Sequence, residues 1–421
     1  MTVPHPSLRL SDRIAELLAD PEAAASAWSS RPQWRQSLAH GAPGIALLHI
    51  ERAATGRGPW EPVRAWLAVA AKGPVTSGPD SYLHYGAPAF AQALACAARA
   101  RPGSYSSALA HLDDVVADDA LRRCDEALAR ITRGDLPALA EFDAIRGLAG
   151  VGAVLLRRDP DGEAIHRVLG YLVRLTADVK HNGRALPGWW TMDGPSGTPD
   201  ERFPGGHANT GVAHGIAGPL AVLSLALRQG IEVDGQREAI RTILAWLEHW
   251  RDGHSWPYWI TPGHLDGDGD ARAPLAPQRP SWCYGTAGVA RAQQLAALAL
   301  DDSRLRRDAE SFLAAALVDP KALAATTDLS ACHGSAGLAH IAHRAASDAL
   351  PHNAARLRSA ASLLLDTAHP PRTDPDEQAH HLLETAGPGF LEGAAGTALA
   401  LLAPATGTIP ATSWDACLLT F

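Results

Sequence analysis

Aromatic side chains make up only 6% of this 421-residue sequence, and β-branched residues seldom gather into the runs that central strands need. A sheet-rich fold is therefore not expected. Charge of one sign is not concentrated anywhere: the formal net charge is −8, with acidic and basic residues mixed and no basic stripe. That argues against nucleic acid as a partner. No apolar stretch is long and continuous enough to span a bilayer; Leu220 to Leu227 is typical in being short and interrupted. Met1 to Arg13 contains no basic segment leading into an apolar one, so no secretory signal is read and a cytoplasmic location is expected. Cysteine is sparse and odd in number, five in all, which favours reduced thiols or a metal site over disulfides. What is abundant is Ala and Leu. With 46% hydrophobic and 19% charged residues, the composition is that of a helical protein with a large core.

Length alone suggests two or three domains, but a repeat points to one. Gly-x-x-Gly, with small residues inside, starts at Gly41, Gly147, Gly215, Gly285, Gly334 and Gly393. A seventh copy at Gly86 has Ala89 in place of its second glycine. Successive starts lie 45 to 70 residues apart, room for two helices and their loops. Apolar residues at helical spacing follow each motif, as in Ile45, Leu47 and Leu48 or Val289, Leu295 and Leu298. Between motifs lie amphipathic stretches starting near Arg9, Glu61, Ser106, Glu163, Arg237, Arg304 and Asn353. Arg237 to Arg251, for example, aligns Ile240, Ile243, Leu244 and Leu247.

A helix that is apolar or small all round must be enclosed by protein. The expected fold is accordingly all-α, an α/α toroid of seven inner and seven outer helices, with residues 1–421 as a single domain. Nothing between Gly86 and Gly147 reads as a run of strands, so no inserted domain is expected. Pro- and Gly-rich segments at Ala185 to Asn209, Asp252 to Pro280 and His369 to Gly389 read as long loops over the end where the motifs converge.

Metal-type residues occur at three of these junctions: Ala213-His214-Gly215, Trp282-Cys283-Tyr284-Gly285 and Cys332-His333-Gly334. Two thiolates and an imidazole suit zinc, and three protein ligands leave its fourth tetrahedral position open, as catalytic sites require. Either cysteine alone reads equally as a small buried core residue. Their equivalent places in adjacent repeats favour the metal. Cys96, Cys124 and Cys417 have no histidine beside them and read as structural.

The runs Gly211 to Leu220 (Gly-Val-Ala-His-Gly-Ile-Ala-Gly-Pro-Leu), Arg279 to Gly285 (Arg-Pro-Ser-Trp-Cys-Tyr-Gly) and Cys332-His333-Gly334 resemble, in this order, the lanthionine synthetase C-like family. The resemblance extends from the Gly41 repeat to Trp414-Asp415. It implies the toroid again, now with Cys283, Cys332 and His333 as ligands of Zn2+. It also implies that His214, Asp143 (in Phe142-Asp143-Ala144-Ile145-Arg146-Gly147), Arg279 and Tyr284 line the active site. On their own residues, Asp143 reads also as a helix cap, Arg279 as a surface loop residue and Tyr284 as packing. A polar ring between small residues makes His214 hard to read as packing. His380, His381 and Glu384 in the last loop are given no role.

Well-known members of that family are cyclases of lantibiotic biosynthesis. The implied activity is addition of cysteine thiolates to dehydroalanine or dehydrobutyrine in a ribosomal precursor peptide, giving (methyl)lanthionine thioether rings. The implied partners are a dehydrated precursor peptide with its leader and a separate dehydratase. Thiolates on the protein side reduce the Lewis acidity of zinc, which suits activating a substrate sulfur better than activating water. Attack at the β-carbon puts charge on the carbonyl as an enolate, and the α-carbon then takes a proton. His214 is the expected acid, Asp143 its orienting partner, and Arg279 a donor to the enolate. Two other readings use the same residues: glutathione-type thiol addition to dehydroamino acids in proteins, and a non-catalytic zinc-containing peptide scaffold.

Overall fold

The computed structural model describes residues 5–25, 33–267 and 278–421. Among them every glycine motif starts a helix and every expected amphipathic stretch forms one. The helix expected from Ser106 runs unbroken to Arg133, and the other elements between Gly86 and Gly147 are helical too. The chain resolves into two compact units. One comprises Met1–Val115, Thr326–Cys417 and Phe421; the other comprises Val116–Ala325 and Leu418–Thr420.

In the first unit the glycine-led helices are Ala42–Ala54, Ala87–Ala100, Ser335–Asp348 and Ala394–Thr406. Every residue from Ala87 to Ala97 is buried, and so is every one from Ala394 to Ala403. Only Ala, Gly, Leu and similar side chains tolerate enclosure on all sides, and these helices supply them. Ser7–Leu17 lays Leu8, Leu10 and Ile14 against Ala394–Thr406. Pro351–Ala368 covers Ser335–Asp348 with Leu357, Leu364 and Leu365. The C-terminal segment is tied down by Glu51, whose carboxylate accepts from the Ala411 and Thr412 amides at 2.7 and 3.0 Å.

In the second unit Leu148–Arg158, Ala217–Arg228 and Thr286–Ala299 are the glycine-led helices, and Thr286 to Ala297 is buried throughout. Gln236–His249 buries Ile240, Ile243 and Leu247 as its spacing predicts, while Leu244 at the edge of that stripe is half-buried.

The three expected loops differ from expectation. Arg184–Leu186 pairs antiparallel with Val179–His181 across Asn182 and Gly183, both at positive φ (50° and 78°). Asn-Gly is a hairpin turn signal, and it is present in the sequence, but the flanking residues lack the apolar alternation that marks strands. Ala208–Asn209 pairs with Trp259–Ile260. Part of the loop expected from Asp252 to Pro280, residues 268–277, lies outside the described residues. Within His369 to Gly389, a segment expected to be a loop, Pro375–Thr385 is helical. Asp374 caps it by accepting from the Asp376 amide at 3.0 Å, and Pro375 occupies the first helical position. His380, His381 and Glu384 lie on that helix.

Candidate metal centre and active site

The loops before the glycine-led helices share one register, and the second glycine of the motif sets it. A Cβ at Gly44, Gly218, Gly288, Gly337 or Gly396 would lie 1.5–2.6 Å from the carbonyl oxygen of the residue six positions earlier. No side chain fits, so each loop closes directly on its own helix. The two residues after that carbonyl are thereby held at the helix start: Ala213 and His214, Cys283 and Tyr284, Cys332 and His333. Neighbouring loops then join through their backbones. In one unit the Ala144 amide donates to Ala213 O (3.0 Å) and the Ala213 amide to Cys283 O (3.2 Å). In the other, Cys332 N donates to Leu391 O (2.9 Å) and Leu391 N to Ala39 O (3.0 Å).

A polar residue four positions before the first glycine caps each of several loops. Ser37 Oγ accepts from His40 N (3.0 Å), Ser281 Oγ from Tyr284 N (3.3 Å) and Ser330 Oγ from His333 N (3.1 Å). Asp143 occupies the same place. Its Oδ1 accepts from Arg146 N (2.6 Å) and Gly147 N (2.7 Å).

The sulfurs of Cys283 and Cys332 and a ring nitrogen of His333 all lie within 4.8 Å of one another. Both cysteines are buried and His333 is half-buried. Zinc held by two sulfurs at about 2.3 Å and a nitrogen at about 2.0 Å needs donors about 3.5–3.8 Å apart. The cluster meets that with small side-chain adjustments, and two thiols with an imidazole are a donor set zinc accepts. Among the remaining cysteines, burial pushes the Cys124 thiol up to about 12, so it stays protonated. Cys417 donates to Trp414 O at 3.1 Å, and Cys96 accepts from Gln92 at 3.7 Å.

His214 Nδ1 is 2.7 Å from Asp143 Oδ2, and the two side chains are 20% and 1% exposed. A carboxylate can only accept, so Nδ1 carries the N–H and Nε2 is the nitrogen left to exchange protons. Asp143 thus acts as a cap and as a histidine partner at once, one oxygen for each. The His214 ring lies 6.0 Å from that of Tyr284, which is itself flanked by Tyr258 at 5.5 Å and Trp259 at 5.7 Å. The pairing of Ala208–Asn209 with Trp259–Ile260 is what delivers these aromatics. Arg279 is gripped through its backbone: the Tyr258 hydroxyl donates to Arg279 O at 3.0 Å and accepts from Arg279 N at 2.8 Å. Burial, reinforced by nearby Cys283, raises the Tyr258 phenol to about 12, which keeps the hydroxyl neutral for both bonds. Arg279 also borders a cavity of about 440 Å³ with His254, Thr286, Asp319 and Lys321.

Tyr258, Trp259 and Ser281 were not among the expected site residues. Ser281 had a signal, its place four residues before a repeat glycine. Tyr258 and Trp259 had none, because only the short ladder brings them to the site. Trp414 and Asp415 form a separate buried group, in which Asp415 Oδ2 lies 3.1 Å from His340 Nε2 and 3.0 Å from Arg344 Nε.

Three comparisons bear on identity. The family model described as lanthionine synthetase C-like protein matches residues 32–419. The nisin biosynthesis protein NisC of Lactococcus lactis subsp. lactis is 26% identical over 213 residues, 48% of this chain and 48% of that protein. The chain thus spans about half the length of that curated relative. The solved structure of nisin cyclase superposes with a TM-score of 0.72 at 21% identity, covering 95% of this chain and 96% of that one. The fold is therefore the α/α toroid expected from the repeat. With nearly its whole length matched by one family model, the chain belongs to the lanthionine synthetase C-like protein family.

Proposed function

We propose that this chain is a zinc-dependent peptide cyclase, acting as a single catalytic domain over residues 1–421. It adds cysteine thiolates to dehydroalanine or dehydrobutyrine in a dehydrated precursor peptide, making (methyl)lanthionine rings. Cys283, Cys332 and His333 hold the metal. The observation that carries this reading is the grouping of two thiols and an imidazole within 4.8 Å. In the same loop register stands a histidine backed by a buried carboxylate. A peptide scaffold needs only the cap that Asp143 Oδ1 supplies, not a second oxygen turned to His214.

Zinc, when bound, would supply the substrate thiol as a thiolate at a fixed place. The protein's own groups do the rest. In the addition, sulfur bonds to the β-carbon and the β-carbon's π bond to the α-carbon breaks, its electrons moving into an enolate. A proton then reaches the α-carbon, and no oxidant or reductant is needed. His214 Nε2 takes up the proton that the substrate thiol gives up and passes one to the α-carbon, while Asp143 Oδ2 retains the N–H on Nδ1. Arg279 and the Tyr284 hydroxyl are the candidate donors to the enolate oxygen. Leader recognition, an upstream dehydratase that makes the substrate, and a cytoplasmic setting belong to the same proposal. Among the described residues no helix is long and apolar enough to cross a membrane.

The test separates metal binding from proton transfer. His214→Asn should retain about one zinc per chain yet slow ring closure by roughly a hundredfold or more. A synthetic peptide carrying one cysteine and one dehydroalanine is the substrate, and mass spectrometry after thiol alkylation counts open rings. Ring closure at the parent rate with zinc bound would remove His214 from the mechanism.

A further inference from the structure

We infer that Asp328 sets the tautomer of His333 and so makes Nδ1 the ring nitrogen offered to the metal. The inference rests on the zinc reading above. Asp328 Oδ2 lies 3.3 Å from His333 Nε2. An ionised carboxylate has no proton to give, so this contact is attractive only when Nε2 carries the N–H. A neutral imidazole has a single N–H. With the proton on Nε2, the lone pair that a metal needs is on Nδ1. Carboxylates behind metal-binding histidines do this generally, fixing the ring and its basicity together.

The other oxygen of Asp328 fixes the loop that carries the ring. Oδ1 accepts from the Ser330 amide at 2.8 Å, and Ser330 Oγ accepts from the His333 amide at 3.1 Å. The Asp328 carbonyl accepts from Ser335 N at 3.1 Å, tying the same residue to the start of Ser335–Asp348. One side chain thus holds both the backbone and the ring of His333. The repeat itself does not call for an acid here. Six residues before their glycines, the seven copies have Arg35, Asp80, Glu141, Asn209, Arg279, Asp328 and Gly387. Among the three acidic copies, the one with Asp328 is the one whose loop carries a histidine directly after a cysteine.

Asp328→Asn separates these duties, because the amide oxygen can still accept from Ser330 N while the charge facing Nε2 is gone. Zinc affinity, measured by competition with a chromophoric chelator, should weaken about 10- to 100-fold. In zinc-free protein labelled with ¹⁵N-histidine, His333 should carry its proton on Nε2 in the parent and shift toward Nδ1–H in the variant. A parent His333 protonated on Nδ1 overturns the inference whatever the variant does. Parental zinc affinity in Asp328→Asn, alongside metal loss in Cys283→Ala, overturns the inference and leaves the zinc reading standing. Zinc fully retained in Cys283→Ala overturns both.

Discussion

Asp143 offers the sharpest separation of stability from catalysis, because its two oxygens do different things. Oδ1 satisfies the Arg146 and Gly147 amides ahead of the helix Leu148–Arg158, and Oδ2 faces His214 Nδ1. Asp143→Asn keeps an oxygen for the two amides and changes only the side facing the histidine. Losing one charge-assisted hydrogen bond at a partly exposed imidazole should cost about 1–2 kcal/mol. Asp143→Ala loses that bond and leaves two amides unpaired at a buried helix start, so about 3–5 kcal/mol is expected. The two variants should therefore differ by about 2 kcal/mol in urea unfolding. They should be alike in ring closure, slowed about 10²- to 10⁴-fold. In the Asn variant the imidazolium, with N–H on both nitrogens, meets an amide N–H where the carboxylate was. Equal urea midpoints for the two variants would refute the capping role. A parent rate of ring closure in Asp143→Asn, with zinc bound, would refute the orienting one.

Gly288→Ala places a Cβ 2.1 Å from Trp282 O and 2.9 Å from Val212 Cγ2. The loop must move, so calorimetry should show lowered stability and chelator competition a weakened zinc site even though no ligand has changed. Tyr258→Phe keeps the ring but leaves the Arg279 amide and carbonyl without their shared hydroxyl. It should cost about 1–3 kcal/mol in denaturant unfolding, with ring closure slowed if Arg279 acts on the enolate. Asp415→Asn tests the buried group with His340 and Arg344. Burial alone would raise the Asp415 carboxyl, but Arg344 and His340 outweigh it and hold it below its ordinary value. A depressed carboxyl contributes stability above its unfolded pKa and loses it as pH falls toward the folded value. The variant should therefore be less stable by about 3–5 kcal/mol at pH 7, with the gap to the parent narrowing below about pH 4.

The glycine-led helices were legible because two independent signals agreed for each: a glycine at the start and a run of Ala and Leu behind it. The amphipathic ones were legible from their apolar spacing. The seven motif starts, the long helix from Ser106 and the stripe of Ile240, Ile243 and Leu247 all follow from local spacing. Elements whose stability depends on pairing were not legible. Val179–His181 and Arg184–Leu186 carry few apolar residues, so only Asn182-Gly183 could have marked them. Pro375–Thr385 was hidden by the Pro and Gly residues around it, although Asp374-Pro375 is itself a helix-start signal. At the site, residues within the repeat motif could be named from their positions. Tyr258 and Trp259 could not, because their closeness to Tyr284 depends on a two-residue ladder between distant segments.

The repeat also explains how chemistry arises on a scaffold built for packing. Ser37, Ser281, Ser330 and Asp143 occupy one structural position and perform one structural task, accepting the amide three residues on. A serine has a single side-chain oxygen, and that task holds it at its own loop. An aspartate has a second oxygen, and the backbone link from Ala144 to Ala213 sets the next loop's His214 against it. On the proposed mechanism, a cap thereby becomes half of an acid–base pair with no change in the fold. The same reasoning applies two positions further along each loop, where Ala39, Ala213 and Leu391 are apolar and Cys283 and Cys332 are thiols. Replacing small buried residues by cysteine at equivalent points costs little in packing, since a buried cysteine behaves as a small hydrophobe. Function is then concentrated in the few copies whose loop residues depart from the repeat, and stability is spread over all of them. Variants of the loop residues should accordingly change zinc content or rate, whereas variants of the second glycines should change folding first.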